Sequence, residues 1–243
     1  MQIRQLAYRK KRFLQHWFKV AFVRLRWGRH WLPVVTLDQI VPQQTRLEPP
    51  VLDHICLPPY HTPNDHNDFI PVMSIARHIN PRLVVELGTA YGNLTANLCR
   101  QLPSAKVLTV NAPLEKQTGE KVTYQLTEDD IGRVYREHGY SKQVMQLFQN
   151  TLTLELGEYL EKRSVELAII DACHDREYVV NDFLKIAPFV GPNGIVLLHD
   201  THPSMDGHLL GSYWACLQLR GQGYDIKHLA NSWWGIWLKT EKR

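Results

Sequence analysis

Residues Leu83–Leu102 read "LVVELGTAYGNLTANLCRQL", and they join a short apolar run to a longer amphipathic one through a turn that contains two glycines. The run Leu83–Leu87 predicts a buried strand, and Asn93–Leu102 predicts a helix. Gly88 and Gly92 allow the backbone to turn sharply and to come close to a ligand. The stretch therefore predicts a strand–turn–helix unit of an α/β fold.

The same alternation of strand and helix continues to the end of the chain. Helices are predicted at 127–139, 175–190 and 205–220, and further strands at 106–110, 143–148, 165–171, 194–200, 224–229 and 233–239. Near-continuous apolar strands that alternate with helices indicate a parallel sheet with helices on both faces. The last two strands have only a short connection, so one of them must run antiparallel. The sequence predicts a Rossmann-like, seven-stranded, mostly parallel sheet with a reversed last hairpin.

Two segments with different composition precede this sheet domain, which we assign to residues 69–243. Residues 1–32 mix basic and aromatic side chains and predict a helical arm. Residues 33–68 form a connector that is rich in proline, and proline lacks the backbone N–H that regular structure requires. We therefore expect the connector to lack regular structure and to wrap over the surface of the domain.

The positive charge of the chain is concentrated in the arm. Residues 1–30 hold nine of the 28 Lys and Arg and no Asp or Glu, so the remainder is mildly acidic. An acidic body argues against a broad nucleic-acid-binding face. An anionic membrane surface, an RNA and a partner protein are alternative ligands of the arm, and we favour peripheral membrane or protein contact over RNA. Packing of the arm on the domain or on a second subunit, as in a homodimer, is the alternative.

Cysteine spacing and hydropathy bear on the location of the protein. The four cysteines are scattered, without a CxxC pair, which suits a reducing cytoplasm. The longest apolar run of the arm before Arg24 has four residues, far fewer than the about 20 that span a bilayer. We therefore expect a cytoplasmic protein that contacts a membrane peripherally, if at all.

The first strand and its turn carry a recognisable motif. Glu86 precedes Gly88 by two residues, and Gly92 follows four residues later, giving E-x-G-x-x-x-G. This pattern resembles motif I of class I methyltransferases that use S-adenosylmethionine (SAM). The segment 165–203 resembles the later motifs of a bacterial subgroup related to O-methyltransferases of macrolide and sugar tailoring and, more distantly, to catechol O-methyltransferase. The resemblance covers about residues 69–238.

The resemblance implies a set of cofactor-binding residues. Glu86, Gly88 and Gly92 would hold the methionine end of SAM, and Asn111, at the end of the second strand, would take the place of the acid that binds the ribose. The whole implied set is Glu86, Gly88, Ala90, Tyr91, Gly92, Asn93, Asn111 and Asn150. Asn150 matches the position that meets the adenine, although Asn at a strand end is also a common turn residue.

Two acids end neighbouring strands of the predicted sheet. Asp171 ends the fourth strand and Asp200 the fifth, and paired strands lie about 4.8 Å apart, so both carboxylates can reach one ion. In the catechol-type enzymes the matching positions bind Mg²⁺ together with a third position, which is Thr201 here. The predicted metal ligands are Asp171, Asp200 and Thr201, with Mg²⁺ or Mn²⁺ as the ion. Added imidazole from nearby histidines shifts the preference from Mg²⁺ toward Mn²⁺, Fe²⁺ or Zn²⁺.

The reaction requires that an acceptor hydroxyl loses its proton. Either a divalent ion lowers the pKa of the hydroxyl, or a histidine takes the proton as general base. We predict His174 or His202 as the base, beside Asp171, because strand alternation suggests that His199 points away. The alternative is that these histidines are loop residues without a catalytic role.

The sequence as a whole predicts a SAM-dependent methyltransferase that methylates a hydroxyl of a small molecule. The subgroup resemblance implies a sugar or a glycosylated natural product as the acceptor. One alternative is an NAD(P)-dependent oxidoreductase on a similar sheet, although its motif is G-x-G-x-x-G. Another is a non-catalytic nucleotide-binding or scaffold module that works through the basic arm.

Overall fold

The computed structural model describes residues 32–42, 66–113, 126–202 and 210–240, together with Phe18 and Ala21. The strands in these ranges are β1 Val34–Val35, β2 Leu83–Leu87, β3 Lys106–Asn111, β4 Val144–Phe148, β5 Val165–Ile170, β6 Val190–Leu198, β7 Lys227–Leu229 and β8 Gly235–Leu238. The α-helices in the same ranges are α1 His66–Ile79, α2 Asn93–Gln101, α3 Arg133–Glu137, α4 Arg176–Ile186 and α5 Leu210–Gly221.

All strands lie in one sheet, in the order β1-β7-β8-β6-β5-β2-β3-β4. The strand β8 is antiparallel to both of its neighbours, β6 and β7, and every other pair is parallel. The predicted mostly parallel sheet with a reversed last hairpin is confirmed. The order turns back between β2 and β5, and a ligand site of an open α/β sheet lies outside the carboxyl ends of the strands at such a point.

Helices cover both faces of the sheet, as predicted. Val85 and Leu87 of β2 pack with α4 and α5, whereas Val84 packs with α1 and α2. This division follows from the alternation of side chains along a strand. Just before β8, Trp234 is fully buried while Trp233 is 42% exposed.

The predicted connector contributes regular structure to the domain, which corrects the expectation that it lacks any. Val34 and Val35 form β1, which extends the sheet as a parallel neighbour of β7. The helix α1 begins at His66 and continues through Pro71. Leu32 and Val41 are buried in the core, so hydrophobic burial fixes the described start of this segment to the sheet.

Helix boundaries also differ from the prediction between β3 and β4. The helix expected from Thr127 begins only at Arg133, because Gly132 takes a φ of +71°, which interrupts helical geometry. Thr127 instead closes a turn in which its hydroxyl donates to the Asp130 carboxylate over 2.7 Å. The helix predicted from 205 begins at Leu210 in the described part of the chain.

The N-terminal arm, apart from Phe18, Ala21 and Leu32, lies outside the described residues, as do most of the connector and residues 114–125 and 203–209. The expectation of membrane or protein contact through residues 1–32 therefore stays a prediction. Among the described residues there is no helix with the length and hydropathy needed to cross a membrane.

An irregularity in β6 sets the register at the edge where the site lies. Val165 pairs with Val190, but Leu167 pairs with Ile195, so two steps along β5 correspond to five along β6. The three extra residues are accommodated in the "GPNG" segment, 191–194, which was predicted as a turn before the strand. Beyond this bulge Ile170 pairs with Leu198, which brings the segment after β6 alongside the end of β5.

Candidate active site

The glycine turn after β2 lies directly against the end of β5. Gly88 has a φ of +111°, and a Cβ at this position would overlap the carbonyl oxygen of Asp171. The two segments are also tied by a hydrogen bond from the Asp171 amide to the Leu87 carbonyl, at 2.8 Å. Only glycine lets the turn approach Asp171 so closely. Gly88 of motif I and Asp171, the first of the two predicted strand-end acids, therefore belong to one site.

A second segment holds the other end of this turn. Ala90 has a φ of +45°, and its carbonyl accepts a 2.8 Å hydrogen bond from the Gly132 amide. The Tyr91 carbonyl accepts a 2.9 Å hydrogen bond from the Val134 amide. Gly92 has a φ of +79° and precedes the first residue of α2. The turn is therefore fixed by backbone contacts before any ligand binds, which is a form of preorganisation.

Glu86 lies beneath the turn and not at its surface. The side chain is fully buried, and one carboxylate oxygen accepts hydrogen bonds from Thr95 and Thr109 at 2.5 and 2.6 Å. Its other oxygen, Oε1, has no hydrogen-bond partner. Burial raises the pKa of Glu86 to about 7, and the two threonine hydrogen bonds offset this only in part. In this conformation Glu86 supports the turn from below, and its role as a ligand contact stays a prediction.

The amides predicted at the ribose and adenine positions both make local contacts. The Asn111 side-chain oxygen accepts a 3.1 Å hydrogen bond from the Ala90 amide, which places Asn111 beside the glycine turn. The Asn150 side-chain oxygen accepts a 2.9 Å hydrogen bond from the Leu152 amide, the geometry of an Asx turn. The structure thus places Asn111 next to the proposed cofactor loop and gives Asn150 a turn-forming contact.

Four side chains from the ends of β5 and β6 meet in what we call the Asp/His cluster: Asp171, His174, His199 and Asp200. The His174 Nε2 atom lies 3.4 Å from Asp171 Oδ1 and 2.9 Å from Asp200 Oδ2. The His199 Nδ1 atom lies 3.0 Å from Asp171 Oδ1 and 3.5 Å from Asp200 Oδ1. The predicted convergence of Asp171 and Asp200 is therefore observed, with two imidazoles between them.

The presence of His199 in the cluster corrects the expectation that it points away. The register pairs Ile170 with Leu198, so the next residues, Asp171 and His199, are neighbours across the two strands. Strand alternation stops at this point, because β6 ends at Leu198 and Asp200 takes a φ of +56°. This turn directs His199 and Asp200 toward the same place. No sequence signal gave the register, so sequence reasoning missed the position of His199.

Packing of α5 fixes the position of His174 in the Asp/His cluster. A Cβ at Gly211, in the first turn of α5, would overlap the carbonyl oxygen of His174. The backbone of α5 therefore rests directly on the segment between β5 and α4, and the position of His174 depends on this contact.

The carboxylates and imidazoles of the cluster shift one another's ionisation. Burial works to lower the pKa of His174, but Asp171 and Asp200 outweigh it and raise the pKa to about 9. Burial works to raise the pKa of Asp171, and the neighbouring His199 and His174 instead hold it well below its usual range. The pKa of Asp200 is also lowered, since the same histidines overcome its burial. The cluster therefore favours two carboxylate anions that are matched by positive charge.

Thr201 and His202, also predicted as site residues, contact β7 and the segment before β8. The Thr201 hydroxyl lies 3.1 Å from His228 Nδ1 and 3.3 Å from the Trp233 carbonyl. The His202 ring stands 5.2 Å from the His228 ring, centroid to centroid. The Thr201 hydroxyl is thus engaged with His228 and the Trp233 carbonyl in this conformation, and its role as a metal ligand stays a prediction. His202 as a general base stays a prediction.

Sequence comparisons relate this chain to a methyltransferase family and to one curated protein. Residues 85–201 match a protein family described as a methyltransferase domain. The uncharacterized protein y4gI of Sinorhizobium fredii is 28% identical over 143 residues, which are 59% of this chain. The aligned part is only 16% of that relative, so the chain spans a small fraction of the curated relative that it matches.

Solved structures share the fold at low sequence identity. The O-methyltransferase TomG of Streptomyces achromogenes, crystallised with SAM, has 16% identity and a TM-score of 0.52, with 76% of this chain and 83% of that chain covered. An O-methyltransferase from Bacillus cereus, in complex with S-adenosylhomocysteine (SAH), has 16% identity and a TM-score of 0.51, with 77% and 86% covered. At such identity the likeness concerns the fold, and the chemistry must be argued from the site.

Proposed function

We propose that this chain, whose sheet domain is of the class I SAM-dependent methyltransferase type, transfers the methyl group of SAM to a hydroxyl of a small molecule. The observation that carries the proposal is the contact between Gly88 and Asp171, which joins a glycine turn suited to a cofactor with a cluster suited to a reacting hydroxyl. The match of residues 85–201 to a methyltransferase family supports the same function.

The glycine turn and Asn111 are proposed to hold the cofactor. Gly88 and Gly92 bound the turn at which the methionine end would lie, and Ala90, Tyr91 and Asn93 lie in or directly after the same turn. SAM, when bound, supplies an electrophilic methyl group on a sulfonium. The chain has to align the acceptor oxygen with this methyl group, because the displacement is in line. The fixed turn described above performs the cofactor part of this alignment.

The Asp/His cluster is proposed to remove the hydroxyl proton. A free histidine base would have to reach the substrate, but His174 lies within 3.4 Å of both carboxylates and His199 within 3.5 Å. Both imidazoles are therefore engaged inside the cluster. This arrangement favours a cation held by the cluster over His174 acting alone. Such a cation would lower the pKa of a nearby hydroxyl, and the proton would be released to water.

The oxidoreductase alternative receives less support from the same observations. The turn has G-x-x-x-G spacing in place of G-x-G-x-x-G, and the strand β8 is reversed within the sheet. A scaffold without catalysis remains the second candidate, because Asn111 stands where the resemblance implies an acid. Binding measurements separate these functions.

Calorimetric titration with SAM and with SAH tests the proposed cofactor, with NAD⁺ as the control ligand. We expect one site per chain with a dissociation constant in the micromolar range for both sulfur nucleosides, and no heat from NAD⁺. Binding of NAD⁺ in place of SAM would support the oxidoreductase. Absence of binding for all three ligands would contradict the methyltransferase proposal and favour the scaffold.

Replacement of Asn111 by aspartate is expected to tighten SAH binding by about tenfold. The aspartate keeps an oxygen that accepts the hydrogen bond from the Ala90 amide. Its hydrogen bonds with the ribose hydroxyls would be charge-assisted, and such bonds are about twice as strong as neutral ones. Calorimetry on Asn111→Asp measures the effect. Asn193→Asp, in the bulge of β6, adds the same charge elsewhere and should leave affinity unchanged. Unchanged or weaker binding by Asn111→Asp would show that residue 111 does not contact the ribose.

A further inference from the structure

We propose that Asp171, His174, His199 and Asp200 bind one divalent transition-metal ion, such as Mn²⁺, Co²⁺ or Zn²⁺, in preference to Mg²⁺. The inference rests on the proposed function and names the class of cation that this site takes. It departs from the oxygen-ligand Mg²⁺ site of Asp171, Asp200 and Thr201 that the resemblance implies.

The spacing of the potential ligand atoms fits one ion. Oxygen and nitrogen ligands lie about 2.1 Å from such ions, so two ligands at a right angle are about 3 Å apart. The four nitrogen–oxygen distances in the cluster are 2.9, 3.0, 3.4 and 3.5 Å. One ligand atom from each of Asp171, His174 and His199 also lies within 4.8 Å of the others. The mutual distances within this trio, together with the short contact of His174 with Asp200, are compatible with one ion among them.

Asp200 gives an independent sign that a ligand is expected here. The residue is 3% exposed, and its Oδ1 atom is buried without a hydrogen-bond partner. The nearest cluster nitrogen to that oxygen, His199 Nδ1, is 3.5 Å away. A buried carboxylate oxygen without a partner is costly unless a cation or a hydrogen bond satisfies it. A metal ion inside the cluster would satisfy this oxygen directly.

The chemistry of the ligands decides which cation is preferred. Mg²⁺ prefers six oxygen ligands and gives up its water reluctantly, whereas imidazole suits first-row transition metals. The Thr201 hydroxyl, which would complete an oxygen set, is instead directed to His228 and to the Trp233 carbonyl. The proposed ligand set therefore contains two imidazoles and two carboxylates in place of oxygen atoms alone, and such a set favours a transition metal over Mg²⁺.

The aromatic surroundings support His199 as a fixed ligand. Its ring centroid lies 4.4 Å from that of Trp234 and 5.9 Å from that of Trp233. Trp234 is fully buried, so its ring is held by the core and limits the orientations of the imidazole. Restriction of a ligand by its surroundings raises the affinity of a metal site.

Metal binding by the full chain, freed of metal with a chelator, tests the inference. Calorimetric titration is expected to show one ion per chain for Mn²⁺ and an affinity about 100-fold weaker for Mg²⁺. Titration with Co²⁺ is expected to give visible ligand-field absorption that indicates nitrogen coordination. His199→Asp converts one imidazole to a carboxylate and should reduce the Mn²⁺ preference at least about tenfold. The control variant is His78→Ala, which removes an exposed histidine of α1 that is not part of the cluster. It should leave the preference for Mn²⁺ over Mg²⁺ unchanged.

Three results would overturn the inference: equal or tighter binding of Mg²⁺, no Mn²⁺ or Co²⁺ binding by the wild-type chain, or an unchanged ion preference in His199→Asp. The wild-type comparison does not depend on the folding of any variant. SAH titration of the same preparation distinguishes failure of the proposed metal site from failure of the proposed methyltransferase function. SAH binding without metal binding would reject the metal site and leave the methyltransferase function standing, whereas loss of both would reject the proposed function as well.

Discussion

Gly88→Ala is expected to destabilise the protein by at least about 3 kcal/mol and to abolish SAM and SAH binding. The added methyl group would overlap the Asp171 carbonyl oxygen, which belongs to the backbone and cannot rotate away. The φ of +111° adds a backbone cost for any residue with a Cβ. The end of β2 would have to move from β5, and the turn would lose its fixed geometry. Urea denaturation and SAH calorimetry measure the two effects.

Gly223→Ala provides the matched control for this prediction. Gly223 has a similar φ of +97°, but a Cβ there would have no neighbour within 4 Å. Gly223→Ala should therefore lower the free energy of unfolding by only about 1 kcal/mol, the cost of a residue with a Cβ at positive φ, and leave SAH binding intact. Equal losses of stability in the two variants would show that the contact with Asp171 does not matter.

Glu86→Gln is expected to remove a large part of the pH dependence of stability. Because the pKa of Glu86 is raised from 4.5 to about 7 in the folded chain, the unfolded chain loses this proton at lower pH than the folded chain does. Its contribution therefore makes stability fall as pH rises from about 4.5 to 7, and the loss is complete above 7. The total is about 3 kcal/mol for this fully buried group.

Glutamine can keep the hydrogen bonds that Thr95 and Thr109 donate, and it avoids a buried charge. The variant should match the wild type near pH 4.5 and be more stable by up to about 3 kcal/mol at pH 8. Thermal unfolding across this pH range measures the difference. Glu158→Gln, at an exposed position, should leave the wild-type profile unchanged. A Glu86→Gln profile that parallels the wild type would contradict the assignment.

Much of the fold follows from local sequence patterns. The apolar runs at β2, β3, β5 and β6 are short and near-continuous, because both faces of each strand are buried, and this pattern is visible without coordinates. The short connection before β8 required a reversed strand for the same geometric reason. The class I methyltransferase resemblance, read from Glu86, Gly88 and Gly92, agrees with the fold and with the family match.

Local patterns did not give the elements that depend on distant partners. The two-residue strand β1 exists because β7 offers it an open edge, and no alternation can be read from Val34 and Val35 alone. The helix expected from Thr127 was wrong in its first residues, since Gly132 adopts a positive φ beside the Tyr135 ring.

The sequence by itself determined which residue types stand at the sheet edge, namely two carboxylates and several histidines at strand ends after buried runs. Only the tertiary structure decided which of them meet. The bulge between Val190 and Ile195 moves β6 by three residues against β5, which places His199, and not a leucine or valine of the strand, beside Asp171. Strand register depends on pairing between segments far apart in the chain, so no local spacing encodes it. For that reason the convergence of Asp171 and Asp200 could be predicted from their strand ends, whereas the contacts of His199 with both carboxylates could not. The metal and catalytic roles of these residues and of Thr201 stay predictions.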